Sequence, residues 1–286
     1  MCGRYVMARS TGDLVAELGV DRVTGDEVPP SWNIAPTQKV RIVTGRGGGG
    51  HDGSVLDQAV SDSAVFDHAA SEKAVSGRGL ETARWGLVPI WAKSRSVGVR
   101  AINARSETVL EKPTFRSAAV KRRALVPADG YYEWSGQKGA KIPTYLHGGD
   151  GEPLAFAGLY ELWRDPEVPE GEPDAWLMTT TVLTRPATDA LGHIHDRTPV
   201  IVPPGLRDDW LDPGLTDRSR IQQLIDAIPD PSLLPHRVGP AVGNVRNDGP
   251  ELIAPVAEGG GAADDGGTAG GGTAGDGTAG DDALFY

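Results

Sequence analysis

The chain carries a single cysteine, and it stands at position 2. Initiator methionine is trimmed when the second residue is small, so removal of Met1 is expected to leave Cys2 with both a free α-amine and a thiol. Such an amine has a reference pKa of about 7.7–8.0 and a thiol about 8.5, so a fraction of each is reactive at neutral pH. The pair is a 1,2-aminothiol. Its amine attacks an aldehyde to give a Schiff base, and its thiol then closes a five-membered thiazolidine. The thiolate alone can instead attack an acyl carbon, as in peptide-bond cleavage. One cysteine excludes an intramolecular disulfide framework and argues against a cysteine-rich zinc site. A mixed zinc site of Cys2, Glu133, His193 and His195 is a further option, because His193 and His195 would share one face of a strand.

Other polar and aromatic residues come in short blocks. Cys2-Gly3-Arg4-Tyr5 is followed by Trp32-Asn33-Ile34-Ala35-Pro36-Thr37 and by Trp85-Gly86-Leu87-Val88-Pro89-Ile90-Trp91. Then come Ile102-Asn103-Ala104-Arg105-Ser106-Glu107, Asp129-Gly130-Tyr131-Tyr132-Glu133-Trp134, Ile194-His195-Asp196-Arg197-Thr198-Pro199 and Gly243-Asn244-Val245-Arg246-Asn247. In content and order these blocks resemble the SOS-response-associated peptidase (SRAP) family of abasic-site processing proteins. The resemblance runs from residue 2 to about 256, apart from an insertion at 46–79.

The resemblance implies that Cys2 captures C1′ of an abasic sugar in single-stranded DNA as a thiazolidine. It implies that Asn103 holds the N-terminus or the sugar, that Glu133 manages protons at the amine, and that His195 acts as acid or base while the sugar ring opens. It also implies phosphate contacts by Arg4, Asn33, Arg105, Thr184 and Arg197, and wedging or stacking by Trp85 and Trp91. Elementary chemistry agrees. An abasic sugar is mostly a closed hemiacetal, so capture needs a proton shuttle, and an imidazole titrates near neutrality. A carboxyl in an aromatic-flanked run is open to a raised pKa. Indole rings stack on bases, and guanidinium forks match phosphates. No cofactor or metal is required.

Each residue also has an ordinary structural alternative. These are Glu133 facing solvent from a strand, His195 satisfying a backbone carbonyl, Trp85 and Trp91 in the core, Asn33 and Asn103 as turn residues, and Arg105 with Glu107 as a structural pair. Two rival functions remain beside covalent capture. One is a thiol peptidase acting through Cys2 and His195. The other is a non-covalent sensor of damaged single strands that needs no cysteine.

The elements that must position these residues are only partly legible. Strand-like runs occur at Val40–Thr44, Ala124–Pro127, Tyr131–Ser135, Thr144–His147, Ala155–Tyr160, Trp176–Thr181 and Pro199–Val202. Helical patterns cover Thr11–Leu18, capped by Thr11 and stopped at Gly19, then Ser106–Leu110, Pro204–Leu211 and Arg218–Ile228. Many strands and few helices, without strict alternation, predict an α+β fold. The expected form is one domain, residues 2–257, with a curved, barrel-like, mainly antiparallel sheet and a few flanking helices.

Residues 46–79 read as a flexible insertion, and the Gly/Thr/Ala/Asp-rich stretch 258–286 reads as a disordered tail. Its apolar end, Ala283-Leu284-Phe285-Tyr286, suits docking to a partner's groove, and a replication clamp fits the inferred task. The net charge of −11 hides a segment, Arg84–Arg123, with a local net of +8 that can face phosphates. No apolar run is long enough to span a bilayer and the N-terminus lacks signal-peptide features, so the expected location is the cytoplasm, with nucleoid association during DNA damage.

Overall fold

Residues 123–128, Arg-Ala-Leu-Val-Pro-Ala, are buried along their whole length. A strand reaches that state only when both of its faces are covered. In this computed structural model the described residues are 2–45, 77–137, 139–149, 151, 153–169, 171–172, 175–187 and 194–256. In chain order their strands are β1 (Tyr5–Met7), β2 (Arg22–Val23), β3 (Ser31–Ile34), β4 (Lys39–Gly45), β5 (Arg78–Trp85), β6 (Asn103–Arg105) and β7 (Arg123–Ala128). They continue with β8 (Gly130–Ser135), β9 (Ile142–His147), β10 (Leu154–Arg164), β11 (Trp176–Pro186), β12 (Arg197–Pro199) and β13 (Leu234–Arg237).

Five of these strands close on themselves. The antiparallel run β5–β4–β7–β10–β11 is joined into a ring by a parallel contact between β11 and β5, with Thr179 opposite Arg84 and Thr180 opposite Trp85. A second, wholly antiparallel sheet has the order β13–β9–β8–β1–β3. The expected α+β class and barrel-like sheet are therefore present, as a closed mixed barrel with an antiparallel sheet beside it.

Side-chain alternation shows how the two sheets meet. Tyr5 and Met7 on β1, and Tyr131 on β8, join the core cluster that also holds the barrel residues Ile42, Leu125, Phe156 and Val182. Val6 and Tyr132, one residue along, point the other way into a second cluster with Tyr145, Val238, Val242 and Leu252. Period-two alternation puts Glu133 on the same face as Tyr131, toward the barrel. Cys2 joins the same core cluster.

A close backbone contact secures the next segment. Gly86 adopts φ +121°, and a Cβ there would stand 2.6 Å from the Gly98 carbonyl oxygen. The reciprocal Cβ on Gly98 would stand 2.4 Å from the Gly86 oxygen, so neither position has room for a side chain. Leu87 N–H donates to the Ala101 carbonyl at 3.1 Å, and Val182 N–H donates to Ile102 at 3.1 Å. These bonds deliver β6 to the flank of β11, with Asn103 opposite Val182.

Several boundaries differ from the sequence reading. The first helix spans Thr11–Leu18, but its cap is Ser10, whose side chain and that of Asp13 form a reciprocal capping box. Gly19 ends it in the left-handed conformation, as read. Ser106–Leu110 is a run of turns rather than a helix, and the helix nearby is Arg116–Lys121. The stretch Pro204–Leu211 is a short 3₁₀ turn followed by an α-helix from Arg207, and Arg218–Ala227 is helical as expected. The strand expected at Pro199–Val202 lies earlier, at Arg197–Pro199. β5 begins at Arg78, so the last residues assigned to the insertion belong to the sheet. Residues 46–76 and 257–286, with the apolar C-terminal tip, lie outside the described residues. Among the described residues no helix is long and apolar enough to cross a membrane.

Candidate active site

Cys2 is fully buried, with 0 % exposure, and forms no disulfide. Its carbonyl oxygen accepts a hydrogen bond of 2.8 Å from Asn103 Nδ2, which ties the start of the chain to β6 across 101 residues of sequence. Burial raises the thiol's pKa well above its ordinary value, and the charge of Glu133 adds to the rise. The positive amino terminus and the N–H of Arg4 act in the opposite direction. A resting thiol there is protonated, and a new positive charge beside it would promote its ionisation.

Glu133 is 4 % exposed. Burial pushes its carboxyl up to about 7, against the opposing pull of the amino-terminal charge, while Asp196 adds a smaller upward push. It therefore exchanges protons near neutral pH. His195 is held below its ordinary pKa, chiefly by burial, so it is mostly neutral at pH 7. Its Nδ1 lies 3.0 Å from the N–H of Arg197 and 2.8 Å from Asp196 Oδ1. The neutral ring accepts from the amide and the protonated ring donates to the carboxylate, so each protonation state has a partner. Electrostatic influence links Cys2, Glu133, Asp196 and His195, and Asn103 fixes the backbone at their centre.

The residues expected to contact DNA divide sharply. Trp85 is 1 % exposed, its indole N–H donates to Ile102 O at 2.9 Å, and its ring meets Tyr5 edge-on at 5.2 Å. It is a core residue, and the stacking role expected for it is withdrawn because neither face reaches solvent. Trp91, by contrast, is 60 % exposed, beside exposed Ile90. Arg105 lies exposed at the end of β6.

Asn33 is 2 % exposed and its amide is fully engaged. Its Oδ1 accepts from Arg4 Nη1 at 2.6 Å, and its Nδ2 lies 3.2, 3.1 and 2.9 Å from the carbonyls of Val242, Asn244 and Asn247. Arg4 also donates to Val242 O at 2.9 Å and lies over the Trp134 ring at 5.9 Å. Asn33 thus orients Arg4 rather than facing solvent itself. Thr184 is similarly buried and supports Arg197, whose Nη2 donates to the Thr184 carbonyl at 2.6 Å. Arg197 grips Glu107 with both arms of its fork, at 2.6 and 2.9 Å. That grip, before any other cause, draws the Glu107 carboxyl down to about 2. The partner of Glu107 is therefore Arg197 and not Arg105.

The motif reading passed over Asp196, Tyr131 and Thr198. Asp196 gives His195 its anionic partner, and adjacency to a candidate acid–base histidine was its only sequence signal. Tyr131 precedes Glu133 by two residues, so strand periodicity places it on the same face. Its hydroxyl pairs with Thr198 Oγ1 at 3.0 Å. His193 lies outside the described residues, and among these residues no cluster of three or more His, Cys, Asp or Glu side chains has the makings of a metal site.

The family model for the SOS response associated peptidase (SRAP) matches residues 1–245. The chain belongs to the SRAP family. The SRAP chain is 33 % identical to the abasic site processing protein YoqW of Bacillus subtilis over 255 residues, covering 88 % of this chain and 99 % of that protein. It is 26 % identical to the abasic site processing protein YedK of Escherichia coli over 261 residues, covering 90 % of this chain and all of that one. Among solved structures, a protein from Bacteroides thetaiotaomicron superposes with a TM-score of 0.67 at 20 % identity, over 90 % of this chain and 100 % of that chain. A phage-related protein from Bordetella bronchiseptica gives 0.55 at 27 % identity, over 83 % and 94 %. The SRAP membership inferred from the sequence blocks is thereby established, and with it the fold.

Proposed function

We propose that this SRAP protein recognises abasic sites in single-stranded DNA and captures them covalently through Cys2, once Met1 has been removed. The observation that carries the reading is the buried Cys2, held by Asn103 through its carbonyl and coupled to a carboxyl whose pKa lies at about 7. The names of its relatives, abasic site processing proteins, support the substrate.

The chemistry follows from the protonation states. His195, whose Nδ1 accepts from the Arg197 amide and whose Nε2 therefore carries the proton, passes that proton to the ring oxygen and recovers one from the C1′ hydroxyl, which opens the closed sugar to the aldehyde. The Cys2 amine, deprotonated by Glu133, attacks C1′ to give a carbinolamine. Glu133 returns the proton to the departing hydroxyl, water leaves, and an iminium remains. The positive iminium favours ionisation of the adjacent thiol, whose proton passes to the Glu133 carboxylate, and the thiolate adds to C1′ to close the thiazolidine. One water is lost overall, and no electron donor, metal or cofactor takes part. The adduct shields the lesion from strand scission by β-elimination. Arg4, Arg105 and Arg197 serve the flanking phosphates, with Asn33 and Thr184 orienting two of them, and exposed Trp91 stacks on a neighbouring base.

Denaturing electrophoresis tests the reading. Mature protein mixed with a uracil strand that has been treated with uracil glycosylase is expected to give a shifted band that survives detergent and heat without borohydride. Cys2→Ala should give none. A Cys2→Ala protein that keeps full abasic binding, beside a wild type with no adduct, favours a non-covalent sensor.

A further inference from the structure

Between the 3₁₀ segment Arg95–Arg100 and the turn that leads into the helix Arg116–Lys121 lies a groove of about 650 Å³. Its walls are Val97, Val99, Arg100, Ala101, Thr114 and Phe115. We infer that this groove seats an unpaired base of the captured strand within about two nucleotides of the abasic sugar, with Phe115 against the base and Arg100 on its phosphate. The inference rests on the capture reading and adds a second point of contact with the strand.

Four observations converge. The volume is in the range of a small-molecule site, roughly 300–1,000 Å³. Phe115 is half-buried at the wall, and a base of any identity can stack on such a ring. Arg100 is exposed and has no hydrogen bond or ion pair among the described residues, in a segment with net charge +8. An apolar or acidic-free peptide in the groove would leave that guanidinium without a counter-charge, whereas a polynucleotide supplies one at every residue. Finally, Ala101 lines the groove, and Asn103, two residues on, holds the Cys2 carbonyl. Two extended residues span at most about 7 Å, and stacked phosphates follow one another every ~3.4 Å along a strand. The Gly86–Gly98 contact and the Leu87–Ala101 hydrogen bond hold this wall in place against the barrel.

Photocrosslinking tests the groove directly. A series of abasic single strands carries 5-iodouracil one, two or three positions to either side of the lesion, and each is bound, irradiated and digested for peptide mapping. A crosslink on Phe115 or on residues 97–101 is expected from a position within two nucleotides of the lesion. Crosslinks that map only elsewhere overturn the inference. Irradiating the Cys2→Ala complex tests the groove even if covalent capture fails, and so separates the two readings. In a second arm, Arg100→Gln is expected to lower the slope of log affinity against log salt by about 0.7, the value for one single-strand phosphate. Phe115→Ala should weaken strand binding about ten-fold. An unaltered salt slope in Arg100→Gln contradicts the assignment, whatever Phe115→Ala does to folding.

Discussion

Glu133 is the residue where function and stability oppose each other. Its carboxyl sits at about 7 in the fold against an ordinary 4.5. The folded state thus holds the proton more tightly than the unfolded state, and stability falls as pH rises from about 4.5 through about 7. Glu133→Gln escapes that loss. Chemical denaturation should find the variant about 3 kcal/mol more stable relative to wild type at pH 8 than at pH 4, from ~1.4 kcal/mol per pKa unit. Its capture rate should fall by about 10²-fold or more, the usual scale of a lost acid–base group. A difference in stability between variant and wild type that is the same at both pH values would contradict the buried, proton-holding carboxyl. Arg197 offers a second test, since Glu107 already occupies both arms of its fork. Glu107→Gln is expected to raise affinity for single strands a few-fold and to steepen the salt dependence by about 0.7, read by fluorescence anisotropy.

At the scale of elements, the site depends on side chains that tie distant segments together. Asn33, at the end of β3, gathers Arg4 and three carbonyls from residues 242–247. Asn33→Ala leaves several buried groups unpaired and should cost about 2–4 kcal/mol. Thermal melts should show the midpoint falling by roughly 5–15 °C. Arg4 loses its guide at the same time, so strand binding should weaken beyond any effect of stability. Strands with sustained apolar runs, such as β7 and β10, were legible, whereas the eight-residue β5 was not, because Arg78, Glu81, Thr82 and Arg84 break its run. β1, β3 and β6 were not, since three or four residues show no period and their pairing is decided by partners far away in sequence. The turns at Ser106–Leu110 mimicked a capped helix, while the helix Arg116–Lys121 has no side-chain cap at Phe115 to announce it. Among the candidate site residues, Cys2, Asn103, Glu133 and His195 were visible as motif blocks. Burial was not visible, and it is burial that removes Trp85 from the surface and turns Asn33 and Thr184 into supports.

For the molecule as a whole, closure of the barrel is what brings the two ends of the chemistry together. The parallel β5–β11 contact sets the edge along which β6 lies, and β6 presents Asn103 to Cys2. In the sequence, the stretch from Glu258 onward holds six acidic residues and no Lys or Arg. A chain ended at Val256 is expected to fold and to capture abasic strands at the full rate in 0.1 M salt, where the Debye length is about 10 Å. Slower association of the full chain should emerge only at low ionic strength, which stopped-flow anisotropy can follow. Loss of capture on truncation would give the tail a direct part in the reaction.

The most direct measurement is intact mass spectrometry of the purified protein after reaction with an abasic single strand under denaturing, borohydride-free conditions. The expected species lacks Met1, is heavier by the oligonucleotide minus one water, and is absent from Cys2→Ala. A protein with a confirmed free Cys2 amine that shows no such mass would contradict covalent capture through the aminothiol.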